Sequence, residues 1–131
     1  MKKVLIADDD RHLVKLITSL LKDAGYVTKQ AYEGATTLKL IREFKPDVVI
    51  LDIMMPIIDG YHICKILAEE IEYSPAPKII VLTVRKEEWD RRISEIAGAD
   101  AFMAKPFNNE ELLRKVKELS EKQEQEQEHQ G

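Results

Sequence analysis

Cysteine occurs once in the 131 residues, at Cys64, so no internal disulfide can form and no Cys/His cluster has zinc spacing. No apolar run approaches the roughly 18 residues of a membrane span, and the amino terminus lacks a signal-peptide apolar stretch. Basic residues are not in excess: 20 Lys and Arg stand against 24 Asp and Glu, a net charge of -4. That balance argues against a nucleic-acid or anionic-membrane binder, which needs a basic face. Neither a G-x-x-x-x-G-K-[ST] loop nor a G-x-G-x-x-G turn is present, so the usual nucleotide cradles are missing. What remains is a cytoplasmic chain, 44% hydrophobic and 34% charged, sized for one folded domain.

Short aliphatic runs alternate with longer helical periods. Strands are expected at Lys3–Ala7, Val27–Ala31, Asp47–Leu51, Lys78–Thr83 and Asp100–Ala104. "DVVIL" and "KIIVL" are continuously apolar, as parallel strands covered on both faces require. Five amphipathic segments follow the strands. The first places Leu13, Leu16, Ile17, Leu20, Leu21 and Ala24 on one face and stops at Gly25, an expected left-handed cap. The second spans about 34–44 and is closed by Pro46, and the third spans about 61–72. The fourth, about 86–97, has the thinnest apolar stripe: Trp89, Ile93, Ile96 and Ala97. The fifth opens at "NNEE", where Asn108 and Glu111 have capping-box spacing, and buries Leu112, Leu113, Val116 and Leu119. Five strand–helix units predict a doubly wound α/β sheet, because parallel strands need crossover helices. The domain is expected to end near residue 120. Residues 121–131 carry no apolar side chain to dock and read as a frayed helical extension, a disordered tail or a linker.

"VLIADDD" poses the functional question, since a strand running into three carboxylates gathers charges that repel. Ligands of open parallel sheets bind beyond the carboxyl ends of the strands. The first strand delivers Asp8 and Asp9 there, the third Asp52, the fourth Thr83, and the fifth leads into Lys105. Each has an ordinary reading alone: helix cap, turn, strand residue, solvated lysine. Their convergence on one edge suits phosphoryl transfer to a carboxylate. The excess negative charge suits Mg²⁺, which takes one or two carboxylates and keeps other positions for water and phosphate oxygens.

The acidic pair, "LDIMMPIIDG", Thr83 and "KPF" together resemble the receiver domain of two-component response regulators, a CheY-like match from Lys3 to about Leu119. The resemblance implies a flavodoxin-like fold, with five parallel strands in the order 2-1-3-4-5 and five helices. It implies that Asp52 accepts phosphate from the phosphohistidine of a sensor histidine kinase or phosphotransfer protein. Asp8, Asp9, Asp52 and the Met54 carbonyl would hold Mg²⁺, with Asp9 the more direct ligand and Asp8 acting partly through water. Thr83 and Lys105 would contact the phosphoryl group, a cis bond would precede Pro106, and Phe102 would be the switch aromatic that follows Thr83. The signal would leave through the fourth helix, fifth strand and fifth helix, toward an effector, an output domain or a phosphorylation-dependent homodimer in which Arg91 could pair with Glu111.

Three positions depart from the family pattern. Val84 is bulky where a small residue is usual, Met54 and Arg85 sit where attack by water on the acyl phosphate is tuned, and Ala101 replaces a common acid. Apolar Met54 and bulky Val84 are expected to lengthen the life of the phosphoform. Two other functions compete. A Mg²⁺-dependent phosphohydrolase needs a second acid near its nucleophile, and Met54 cannot move protons. A pseudo-receiver should have lost at least one of the five site positions, and none is lost.

Overall fold

The structure, a computed structural model, describes residues 2–53, 55, 59–70, 73, 75–83 and 98–130. Five parallel strands, β1 (Lys3–Ala7), β2 (Val27–Ala31), β3 (Val48–Asp52), β4 (Lys78–Thr83) and β5 (Ala101–Ala104), form one sheet in the order β2-β1-β3-β4-β5. The described helices are α1 (Arg11–Asp23), α2 (Gly34–Phe44), α3 (Gly60–Glu69) and a last helix, Asn109–Gln130. The expected fourth helix, with Trp89, lies outside the described residues. The doubly wound topology is the one anticipated.

Alternation along each strand explains the two-layer core. Leu5, Ala7, Val49, Leu51, Ile79 and Val81 face one way, onto Ile41 of α2 and Ile63, Cys64 and Leu67 of α3. Val4, Ile6, Val48, Ile50, Ile80 and Leu82 face the other, onto Val14, Ile17 and Leu21 of α1 and Leu112, Val116 and Leu119 of the last helix. β3 is therefore buried along its whole length, which is why its sequence is an unbroken apolar run. Each such large side chain contributes about 1.5–3 kcal/mol on burial.

Two strand starts fall one residue later than expected, for one reason. Asp47 and Asp100 end outside the strands and use their carboxylates as caps, Asp47 Oδ2 accepting from Lys3 N and Asp100 Oδ2 from Ile79 N, both at 2.8 Å. Helix α1 also turns differently from the expected stripe. Val14, Ile17 and Leu21 meet the sheet, whereas Leu16 is 48% exposed on the flank. Gly25 does adopt the left-handed conformation, with φ of 96°.

The segment after residue 120, expected as a frayed helical extension, a disordered tail or a linker, is helical: the last helix runs on to Gln130. Its buried face continues from Leu119 to Gln123 at helical spacing, and the seating is polar rather than apolar. Gln123, 2% exposed, donates through Nε2 to the Ala76 carbonyl at 3.0 Å. Lys2 pairs with Glu124, and Lys78 Nζ lies 2.7 Å from Glu126 Oε1.

Candidate functional site

At the carboxyl edge of the sheet the register brings the candidate side chains together. Ala7 is paired with Leu51, Asp52 with Leu82, and Thr83 with Ala104, so the ends of β1, β3, β4 and β5 lie side by side. Asp8, Asp9 and Asp52 each present a carboxylate oxygen, all within 4.8 Å of one another. Asp8 is fully buried, Asp52 is 5% exposed, and Asp9 faces solvent. Thr83 is buried at the end of β4.

Lys105 enters from the far side. Its backbone N donates to the Thr83 carbonyl at 2.8 Å, extending the β4–β5 ladder, and the Lys105–Pro106 peptide bond is cis. Its Nζ lies 2.7 Å from Asp8 Oδ2 and 3.8 Å from Asp52 Oδ1. The other Asp8 oxygen, Oδ1, accepts from Asp10 N at 2.9 Å. One ammonium thus serves two buried carboxylates while Asp9 adds a third beside them, and such an excess of negative oxygen fits a hard divalent cation.

Asp10, the third acid of the run, does something else. Its Oδ1 accepts from His12 N and Leu13 N, both at 3.1 Å, as the N-cap of α1. Asp59 caps α3 in the same way, accepting from His62 N at 2.9 Å. The sequence also hid a steric requirement at Gly60. A Cβ there would stand 2.7 Å from both the Asp52 carbonyl oxygen and Ile53 Cα, because Gly60 N donates to the Ile53 carbonyl at 3.0 Å and draws the chain against the end of β3. "DG" after a proline was the available signal, and it reads first as a simple turn. Arg11, next to the acidic run, stacks on Tyr32 with 4.0 Å from guanidinium carbon to ring centroid, a contact with no local sequence signature. Phe102 is half-buried beside Val81 and packs on the core layer of α2 and α3. Met54, Val84 and Arg85 lie outside the described residues.

This fold and this acidic edge define a class, and comparison with known proteins agrees. Residues 4–117 match the family described as the response regulator receiver domain. The chain belongs to that family: it is a receiver domain of the two-component type, a signalling domain rather than an enzyme of metabolism. It is 36% identical over 118 residues to the alkaline phosphatase synthesis transcriptional regulatory protein PhoP of Bacillus subtilis, covering 90% of this chain and 48% of that protein. The chain thus spans about half the length of that relative. Among solved structures, a CheY-like receiver domain protein from Methanospirillum hungatei superposes with a TM-score of 0.88 at 29% identity, covering 96% of this chain and 98% of the other. The BeF3-activated receiver domain of DrrB, from Thermotoga maritima, gives 0.82 at 34% identity, covering 92% of this chain and 98% of the other. Among the described residues no helix is long and apolar enough to cross a membrane.

Proposed function

We propose that the protein is a phosphoacceptor, taking a phosphoryl group from the phosphohistidine of a sensor histidine kinase or phosphotransfer protein onto Asp52. The observation that carries this reading is the placement of Asp52, nearly buried among Asp8, Asp9 and Lys105 at one sheet edge. An oxygen of the Asp52 carboxylate attacks phosphorus, the new O–P bond replacing the N–P bond, and the imidazole leaves with its electron pair. Asp8, Asp9 and Asp52 are the residues that would hold Mg²⁺, with the Met54 carbonyl added by family resemblance. When bound, the ion supplies charge that offsets repulsion between the carboxylates and the incoming phosphate. Lys105 is within reach to turn from Asp8 toward a phosphoryl oxygen, and the Thr83 hydroxyl sits at the neighbouring strand end to accept the same role.

Phosphorylation adds about -1.5 to -2 charges at Asp52. Phe102 pairs with Val81, two register positions before the Thr83–Ala104 pair, so the ring and the hydroxyl lie near one another on adjacent strands and a shift of the hydroxyl would be passed to the ring, as the family's switch does. The readout surface would combine the segment around 86–97, β5 and the last helix, toward an effector, an output domain or a second copy. Slow loss of the phosphoryl group by hydrolysis is the only turnover expected, and the cytoplasm is its expected place.

Incubation with acetyl phosphate and Mg²⁺, followed by intact mass, tests the reading. One added phosphoryl group is expected in the wild type and none in Asp52→Asn. Absence of the adduct in the wild type, or its presence at another residue, would overturn it. Sedimentation with and without beryllofluoride tests the dimer, which equal values would remove.

A further inference from the structure

The opposite, amino-terminal edge of the sheet holds a cleft of about 280 Å³. α3 contributes Cys64, Leu67 and Ala68, the start of β4 contributes Lys78 and Ile79, and the last helix closes it with Gln123 and Glu126. Asp100, which caps Ile79 N, stands at its rim. The cleft exists because the polar end of the last helix is seated there.

Three features describe what would fill it. Gln123 is 2% exposed, and its side chain makes one bond, Nε2 to the Ala76 carbonyl. Among the described residues nothing donates to its Oε1, so a buried acceptor lines the cleft unsatisfied, and such groups normally find a partner. The charge is also unbalanced: Lys78 Nζ serves both Glu126 at 2.7 Å and Asp100 at 3.9 Å, two carboxylates against one ammonium. The floor is apolar, made of Leu67, Ile79 and Cys64, whose thiol is neutral because burial pushes it up to about 12. A thiolate-bound metal ion fits poorly here, since the buried thiol keeps its proton.

We propose that this cleft binds a small organic cation, a guanidinium or primary ammonium on a short hydrocarbon body. Its N–H groups donate to Gln123 Oε1 and to the carboxylates of Asp100 and Glu126, while the hydrocarbon lies on Leu67 and Ile79. Binding ties the last helix to α3 and β4, at the end of the sheet remote from Asp52.

The test is calorimetric titration of the full chain with butylguanidinium in buffer containing magnesium, which occupies the acidic edge. Tetramethylammonium, of equal charge but without N–H donors, is the comparison. Saturable binding of butylguanidinium alone is expected, with amide shifts confined to residues 64–68, 76–79, 98–100 and 123–126. Gln123→Leu should weaken it about tenfold, the loss of one hydrogen bond to a charged donor. Ala68→Met fills the cleft from α3 without touching a hydrogen bond and should weaken it comparably, both variants being checked for native circular dichroism. No binding, equal binding of tetramethylammonium, shifts centred on Asp8, Asp9 and Asp52, or unchanged affinity in either folded variant would each overturn the proposal.

Discussion

Lys105 Nζ stands 2.7 Å from Asp8 Oδ2 and 3.8 Å from Asp52 Oδ1, so an ammonium that follows β5 serves carboxylates that follow β1 and end β3. Asp8 is fully buried, and a buried carboxylate deprived of its cation is costly. Lys105→Met should therefore lower stability without magnesium by about 2 kcal/mol. The same substitution removes the competitor for Asp8, so added Mg²⁺ should raise the melting temperature of the variant more than that of the wild type. Thermal unfolding of both proteins with and without Mg²⁺ measures this; equal shifts would mean that Lys105 and the ion do not share the site.

The three adjacent acids should separate into two functions. Asp10 accepts two helix N–H groups, so Asp10→Ala should cost about 1 kcal/mol of stability and leave acetyl-phosphate labelling of Asp52 intact. Asp9 faces solvent within the acidic cluster, so Asp9→Ala should leave stability nearly unchanged and abolish Mg²⁺-dependent labelling. Urea unfolding beside intact mass distinguishes the pair, and the reverse pattern would exchange their roles.

The acidic edge was legible because strand ends are marked by sharp changes of residue type, and each candidate directly follows or ends an apolar run. Topology followed from that periodicity, with strand order added by resemblance. Less was legible where side chains replace backbone partners. Asp47 and Asp100 lie at expected strand starts, yet they cap neighbouring strands, and nothing local distinguishes a first strand residue from a cap. The docking of the Glu/Gln-rich end of the last helix is not legible, because its contacts are polar and the end carries no apolar side chain. Gln123 docks by one amide hydrogen bond at the position where the helical stripe calls for a leucine. The steric demand at Gly60 leaves no local mark beyond a turn and helix start, because its contact, the Asp52 carbonyl, is eight residues away and visible only in space.

Cys64 predicts a pH effect at the alkaline end. Burial first, then the charges of Asp100 and Asp59, raise its thiol from 9.0 to about 12. The folded chain keeps this proton after the unfolded chain has released it, so the contribution is intact below pH 9.0 and is lost as pH rises toward about 12. The loss should approach about 1.4 kcal/mol per pH unit within that window. Cys64→Ala lacks it, so the stability gap between wild type and variant should narrow from pH 8 to pH 10 in urea titrations. A constant gap would count against the burial of the thiol.

Glu124 predicts the opposite sign at the acid end. The hydrogen bond from Lys2, then its charge, hold the Glu124 carboxyl below the usual glutamate range. Its contribution is present above the unfolded-chain value and is lost as pH falls through the lower folded value. An NMR titration of the Glu124 side-chain carboxyl should place its midpoint below that in Lys2→Met, where it should return to the ordinary range. Equal midpoints would mean that the end of the last helix is not held to Lys2 in solution.

Gly60 ties the backbone that carries Asp52 to the start of α3. A Cβ at this position would lie 2.7 Å from the Asp52 carbonyl oxygen and from Ile53 Cα, both backbone atoms that no side-chain rotation can move aside. Gly60→Ala must therefore push the α3 start away from β3 and lengthen the Gly60 N to Ile53 carbonyl hydrogen bond, 3.0 Å in the native chain. Overpacking of this kind costs about 1–3 kcal/mol. Because the displaced strand end carries Asp52, the labelling rate with acetyl phosphate should fall as well, even at temperatures where the variant is fully folded. The comparison is Ala68→Gly, which loosens α3 near its other end without pressing on β3: it should lower stability by about 1 kcal/mol and leave the rate alone. If both variants slow labelling equally at equal stability, α3 and not the contact at Gly60 sets the position of Asp52.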